Sequence, residues 1–200
     1  MKIVEYRGIE GVVYAEVTTD TTDTEGYTTG TVKELAGVAE LTRATESSSE
    51  AHYYDNMPAV VIESTGSDEV TMSLSAIPLD ALADITGQGY DKDTGMLIEG
   101  PRETKYFALG YKTKKTDGTE IYVWRLKGTF SIPESTHATE DDGTDANGQE
   151  LTFTGISTTH KFTKTGKGAK AINVPKDGGA TNMDTFFETV QTPDTVKKTA

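Results

Sequence analysis

Between residues 69 and 77 the chain alternates with a period of two. Val70, Met72, Leu74 and Ala76 fall on one side, and Thr71, Ser73 and Ser75 on the other. Successive strand side chains point to opposite faces, so this pattern specifies a half-buried strand and excludes a helix. The alternation stops at Pro78, which opens PLDALADIT. Proline is tolerated in the first turn, Leu79, Leu82 and Ala83 share a side at i, i+3 and i+4, and Gly87 is the stop. So short a helix is unstable alone and must pack on the sheet. Residues 90–99 then read as a hairpin around Asp93-Thr94-Gly95. Residues 105–113 and 120–132 read as two strands joined through Thr116-Asp117-Gly118, since Asp-Gly between alternating runs is a strong hairpin signal. On the return strand Tyr122, Trp124, Leu126, Phe130 and Ile132 share the face assigned to the core, while Arg125, Lys127 and Thr129 face away.

The flanks read the same way with weaker signals. Residues 11–17 (GVVYAEV) form a strand, followed by a polar loop. Residues 32–41 form a second extended segment with Gly37 as a bulge or bend. Residues 42–56 (TRATESSSEAHYYDN) are polar around a tyrosine pair and too long for a simple turn, which predicts a projecting loop or a β-arm. Residues 58–64 form another strand. Near the C-terminus QELTFTGIST is a strand with Leu151 and Phe153 inward. Residues 182–193 are expected to form a short amphipathic helix on Phe186, Phe187 and Val190, ended by Pro193, with a loose tail beyond.

Composition supports a β-rich chain. Of 200 residues 34 are threonine, a β-branched residue suited to half-exposed sheet surface, and only 34% are hydrophobic. The length suits one domain with extensions: a β-rich domain over 1–159 and a C-terminal extension over 160–200. A net charge of −13 argues against a phosphate-binding face. Cysteine is absent, which excludes disulfides and thiolate metal sites. Neither a secretory leader nor a membrane span is legible, so cytoplasmic synthesis is expected.

Catalytic chemistry finds no foothold. His52, His137 and His160 each sit in a polar context without a nucleophile motif. The acidic run DDGTDANGQE fails as an EF-hand: with Asn147-Gly148 at positions 5 and 6, positions 1 and 12 would be Gly143 and Thr154. TGKGAK fails as a phosphate loop, because Lys161 stands where the first glycine belongs and Gly168 follows Lys167. Trp124 and the Tyr53-Tyr54 pair offer rings for sugar stacking, but Trp124 shares its strand face with apolar residues and is assigned to the core. No cofactor, metal or catalytic residue is expected.

Charge is segregated. Residues 134–150 hold six acids and no Lys or Arg, whereas 161–176 hold five lysines and no acid. Such blocks suit protein–protein complementarity better than a DNA-binding face in so acidic a chain.

The order of these elements resembles the major tail (tail-tube) proteins of long-tailed bacteriophages, of the phi13 type. The resemblance is carried by GVVYAEV, ELAGVAEL, HYYDNMP, LSAIPLDALADITG, DTGMLIEG, KYFALGYK, VWRLKGTFSIPEST, QELTFTGIS and FFETVQTP in that order. It covers nearly the whole chain, is strongest over 70–154, and departs in the lysine-rich stretch 161–176. It implies a mainly β, sandwich- or barrel-like tube fold with one short flanking α-helix, extended loops and a C-terminal extension. It also implies hexameric rings stacked into a hollow virion tube for DNA passage, without specific DNA binding or a membrane. The other partners it implies are tail proteins: tape measure, tail terminator and distal tail protein. Contacts between subunits are expected from the loop residues Glu46, Glu50, His52, Tyr53, Tyr54 and Asp55. The extension adds Lys161, Lys164, Lys167 and Lys170, with Phe186 and Phe187. The alternative class is a β-sandwich module binding carbohydrate or a receptor.

Overall fold

The computed structural model describes residues 3–23, 26–139 and 147–198, and is mainly β. The acidic residues Glu140, Asp141, Asp142 and Asp145, with the start of the rejected EF-hand register, lie outside the described residues. The chain opens with strand β1 (Tyr6–Asp20), longer at both ends than its alternation indicated, then β2 (Tyr27–Thr29) and β3 (Lys33–Glu34). Two very long strands follow, β4 (Val38–Tyr54) and β5 (Met57–Leu74), before the helix α1 (Leu79–Thr86). A small hairpin pairs β6 (Gly89–Asp91) with β7 (Met96–Ile98). Next come β8 (Phe107–Lys115), β9 (Glu120–Phe130), β10 (Glu134–Ser135), β11 (Gln149–Gly155) and β12 (Ala171–Pro175).

The main sheet runs β2-β1-β8-β9-β11-β5-β4, every pairing antiparallel. It curls so that residues from its two ends meet around one core: Val12 and Tyr14 from β1, Val70 and Met72 from β5, Leu109 and Val123 between them. The helix closes one end of the curl. It buries Ala81, Ala83, Ile85 and Thr86, whereas Leu79 is half-exposed, so its apolar side is turned from the expected one. Gly87 ends it in the left-handed conformation with φ 66°, and a Cβ there would stand 2.0 Å from the Glu103 carbonyl oxygen. Arg102 ties the helix end to the sheet, donating from Nε to the Thr86 carbonyl at 3.0 Å and from Nη2 to that of Phe130 at 2.8 Å.

A second core lies on the outer face of the same sheet. Val13, Ala15, Ala108, Tyr122, Trp124 and Leu126 meet Phe162, Met183, Phe186 and Val190 there. Strands β1, β8 and β9 are therefore buried on both faces. Trp124 is fully buried and donates from Nε1 to the Phe186 carbonyl at 3.1 Å, while its ring lies across Gly110, where a Cβ would come within 2.9 Å of it. Residues 160–198 are thus part of the same fold: β12 pairs with β9 in the sheet, and the segments carrying Phe162, Met183, Phe186 and Val190 cover its outer face. The expected helix over 182–193 is a series of turns, because Phe186 and Val190 reach the sheet from an irregular backbone. The tail is held: Asp194 accepts from the Thr163 and Lys164 amides at 2.8 Å, and Thr181 donates to the Lys197 carbonyl at 3.0 Å.

A bulge explains the errors on β9. Phe107 pairs with Gly128 but Leu109 with Arg125, so β9 carries one extra residue there and its alternation reverses. Phe130 consequently joins the inner core, away from Trp124, and Ile132 beyond the strand is exposed. Arg125, expected to face solvent, is 3% exposed, because the face opposite Trp124 looks into the curl.

Candidate assembly surface

Segment 42–56, offered as a projecting loop or a β-arm, is part of a hairpin. It does not end where the polar run ends, and the separate strand expected at 58–64 is the middle of β5. Strands β4 and β5 pair from Val38–Leu74 to Tyr54–Met57, and the turn residues Asp55 and Asn56 have φ 50° and 62°. Two consecutive positive φ values define the tight turn that matches strand twist, and Asp and Asn tolerate it. Past Asp68, β5 has lost β11, whose last pair with it is Gly155–Asp68. Residues 47–66 leave the body as a two-stranded arm. From the Ser47–Thr65 pair to the tip is eight residues of β4, or about 26 Å at roughly 3.3 Å per residue.

The arm is apolar on both faces. By register, Tyr54, Met57, His52, Val60, Glu50 and Ile62 share one face, and Tyr53, Pro58, Ala51 and Val61 the other. Tyr53 is 66% exposed, Tyr54 65%, Val61 58% and Ile62 54%. A lone two-stranded ribbon is marginal in water, and exposed apolar strands with free edges invite pairing with another chain. The arm carries Glu50, Asp55 and Glu63, with Glu46 at its root, but neither Lys nor Arg.

Its root is rigid by comparison. The register shifts between Thr45–Asp68 and Ser47–Thr65, placing a bulge at Gly66 and Ser67. Glu46 Oε2 accepts from the Ser67 hydroxyl at 3.1 Å there. Asp68, 4% exposed, accepts from Thr45 Oγ1 at 2.9 Å and from Arg125 Nη1 at 2.5 Å, with Lys170 Nζ at 3.6 Å and Arg43 at 3.9 Å. Lys170 also donates to the Gly66 carbonyl. Burial alone would raise the Asp68 carboxyl's pKa; the Thr45 hydroxyl, Arg125 and Lys170 outweigh it and hold the group below its ordinary range. Arg125 Nη2 reaches the Tyr111 hydroxyl at 3.3 Å, and Nε has no acceptor among the described residues. Tyr111 and Arg125 line a groove of about 840 Å³ at the open end of the curl, opposite α1, with Tyr6, Leu41, Arg43 and Asn173 among its walls.

The residues expected to mediate contacts are thus divided. Glu46 sits at the arm root and Glu50, His52, Tyr53, Tyr54 and Asp55 lie along the arm. Lys170 joins this group through Gly66 and Asp68. Lys161, Lys164 and Lys167 are exposed on a separate turn closed by a Phe162–Lys167 bridge. Phe186 is fully buried against its own sheet and offers no surface for contact, and Phe187 is half-buried with its ring stacked 5.4 Å from that of Tyr122. Sequence reading missed Asp68 and Arg125. The signal existed for the first, since Asp68 continues the inward series Val70, Met72, Leu74 by two residues.

Among the described residues no group of His, Asp and Glu is placed to hold a metal ion, and no helix is long and apolar enough to cross a membrane. The chain matches no family model and no curated protein sequence.

Proposed function

We propose that this chain is a structural, self-assembling subunit of a long-tailed phage tail tube, whose copies form six-membered rings that stack into a hollow conduit for DNA. The observation that carries this reading is the arm. It holds apolar residues on both faces out to about 26 Å from the body, and the described residues leave them uncovered. A body of 200 residues has a radius of gyration of about 16 Å, so such an arm reaches a neighbouring copy. The element order resembling the tail-tube family supplies the form of the assembly. Synthesis in the host cytoplasm and incorporation in the virion tail, next to the tape measure, terminator and distal tail proteins, follow from that resemblance. A net charge of −13 suits a lumen that repels DNA and lets it slide.

The carbohydrate-binding reading draws less support. Trp124 is in the core, and Tyr53 and Tyr54 lie on opposite arm faces, so they make no common platform.

The test is negative-stain microscopy and light scattering of the concentrated chain, beside a variant in which 47–65 is replaced by a two-residue Asn-Gly turn. This excision spares the ladder from Val38 to Thr45, which a deletion of 42–56 would break. Rings or tubes from the intact chain and a folded monomer from the variant are expected. A monomeric intact chain at high concentration overturns the proposal.

A further inference from the structure

The arm and the groove are different surfaces of one chain, and the second has the features the first lacks. We propose that the groove at the open end of the curl is the socket for the arm of a second copy, making the subunit contact head-to-tail. This rests on the self-assembly reading above.

Three observations converge on a β-arm as the occupant. First, one groove wall is an unpaired strand edge. Among the described residues strand β12 pairs only with β9, and its bonds to that strand are flanked by Leu126 N to the Lys170 carbonyl at 2.8 Å and Lys176 N to that of Glu120 at 2.9 Å. In an antiparallel ladder the intervening residues, Ala171 and Asn173, aim their main-chain groups the other way, along the groove. A strand can add to that edge. Secondly, the charges suit the arm. Arg43 and Arg125 line the groove with Lys170 at its border, against Glu40 and the already paired Asp68. The arm brings carboxylates and no cation. Thirdly, the arm is rooted at the rim of its own groove by Lys170 and the bulge at Gly66, yet no arm residue lines that groove and Tyr53, Tyr54, Val61 and Ile62 stay exposed. The chain's own arm leaves the groove free, and a neighbour's arm can enter.

Symmetry gives the contact its consequence. An arm-into-socket junction is heterologous, so it closes into a ring or propagates as a filament, whereas an arm-against-arm junction would stop at a dimer.

The experiment uses the full chain in two variants. The arm variant is Tyr54→Asp with Val60→Asp, both exposed. The socket variant is Tyr6→Asp with Asn173→Pro. Tyr6 is exposed, and the proline removes an outward N–H without touching the β9 ladder. Unfolding midpoints within a few degrees of the parent certify the folds. Each variant alone should raise the concentration needed for assembly at least about tenfold. Mixed one to one, they should form dimers and nothing larger, because each pair retains a single intact junction. Socket variants that assemble like the parent, or a mixture that stays monomeric, overturn the socket while leaving the assembly reading intact. A parent chain that never assembles overturns the assembly reading itself.

Discussion

Replacing Asp68 by Asn tests the physical account of the arm root most sharply. The carboxylate is 4% exposed and faces an Arg125 guanidinium that is 3% exposed. Without it, Arg125 retains only the Tyr111 hydroxyl at 3.3 Å, with Nε still unpartnered among the described residues. Removing one member of a buried pair costs about 3–5 kcal/mol, and Asn keeps the shape and an acceptor, so about 3 kcal/mol is expected. For a chain of this size that is roughly 6–12 °C in Tm. The pH dependence has a definite sign. The folded carboxyl is held below its ordinary value of 3.8, so its stabilisation is complete above that value and is lost as pH falls through the folded pKa. The parent-to-variant gap in urea unfolding should be widest at neutral pH and narrow in acid below about pH 4. A neutral gap under about 1 kcal/mol, or a gap indifferent to acid, refutes the reasoning. The double change Asp68→Leu with Arg125→Met should recover most of the loss, since an apolar pair needs no compensation.

Other expectations follow from single contacts. Phe186→Ala should cost about 3–5 kcal/mol in chemical denaturation, and a near-neutral effect would mean that the C-terminal segment is not part of the core. Gly87→Ala should cost about 2 kcal/mol or more, from its positive φ and the adjacent Glu103 carbonyl; an unfolding midpoint equal to the parent's would rule out that close approach. Lys170→Met should leave Tm within a few degrees but increase amide exchange at 65–67, because it frees the Gly66 carbonyl; unchanged exchange there would show that the bulge holds the root unaided.

Most of the sheet was legible because its signals are local. The alternation at 70–76, the Pro78–Gly87 punctuation and the Asp117-Gly118 turn are each read from adjacent residues. Long-range facts were not. The bulge on β9 arises from pairing with β8, and no residue between Leu126 and Gly128 announces it, so the alternation puts Phe130 on the Trp124 face; Arg125 does lie opposite Trp124, and only the closure of the curl, a long-range fact, buries it. Helix α1 is too short for periodicity to fix its buried face, and Ala81 and Ile85 win over Leu79 because of what surrounds them. The arm was half-seen: serines and acids hid the strand in β4, since a ribbon exposed on both faces has no inside to alternate with. The turns at 182–193 read as a helix because Phe186 and Val190 are spaced as in one, yet the spacing serves an irregular segment laid on the sheet.

The one-signed charge of the arm also dictates what reagents can see. From Arg43 to Lys92 the chain has no lysine or arginine, so trypsin releases residues 44–92 as one peptide and amine-directed labels pass the arm by. Chymotrypsin, by contrast, meets Tyr53 and Tyr54 in the open on the free subunit. Under the assembly proposed above, a nick at that pair reports unengaged subunits, and its loss on concentration would follow assembly without any introduced label.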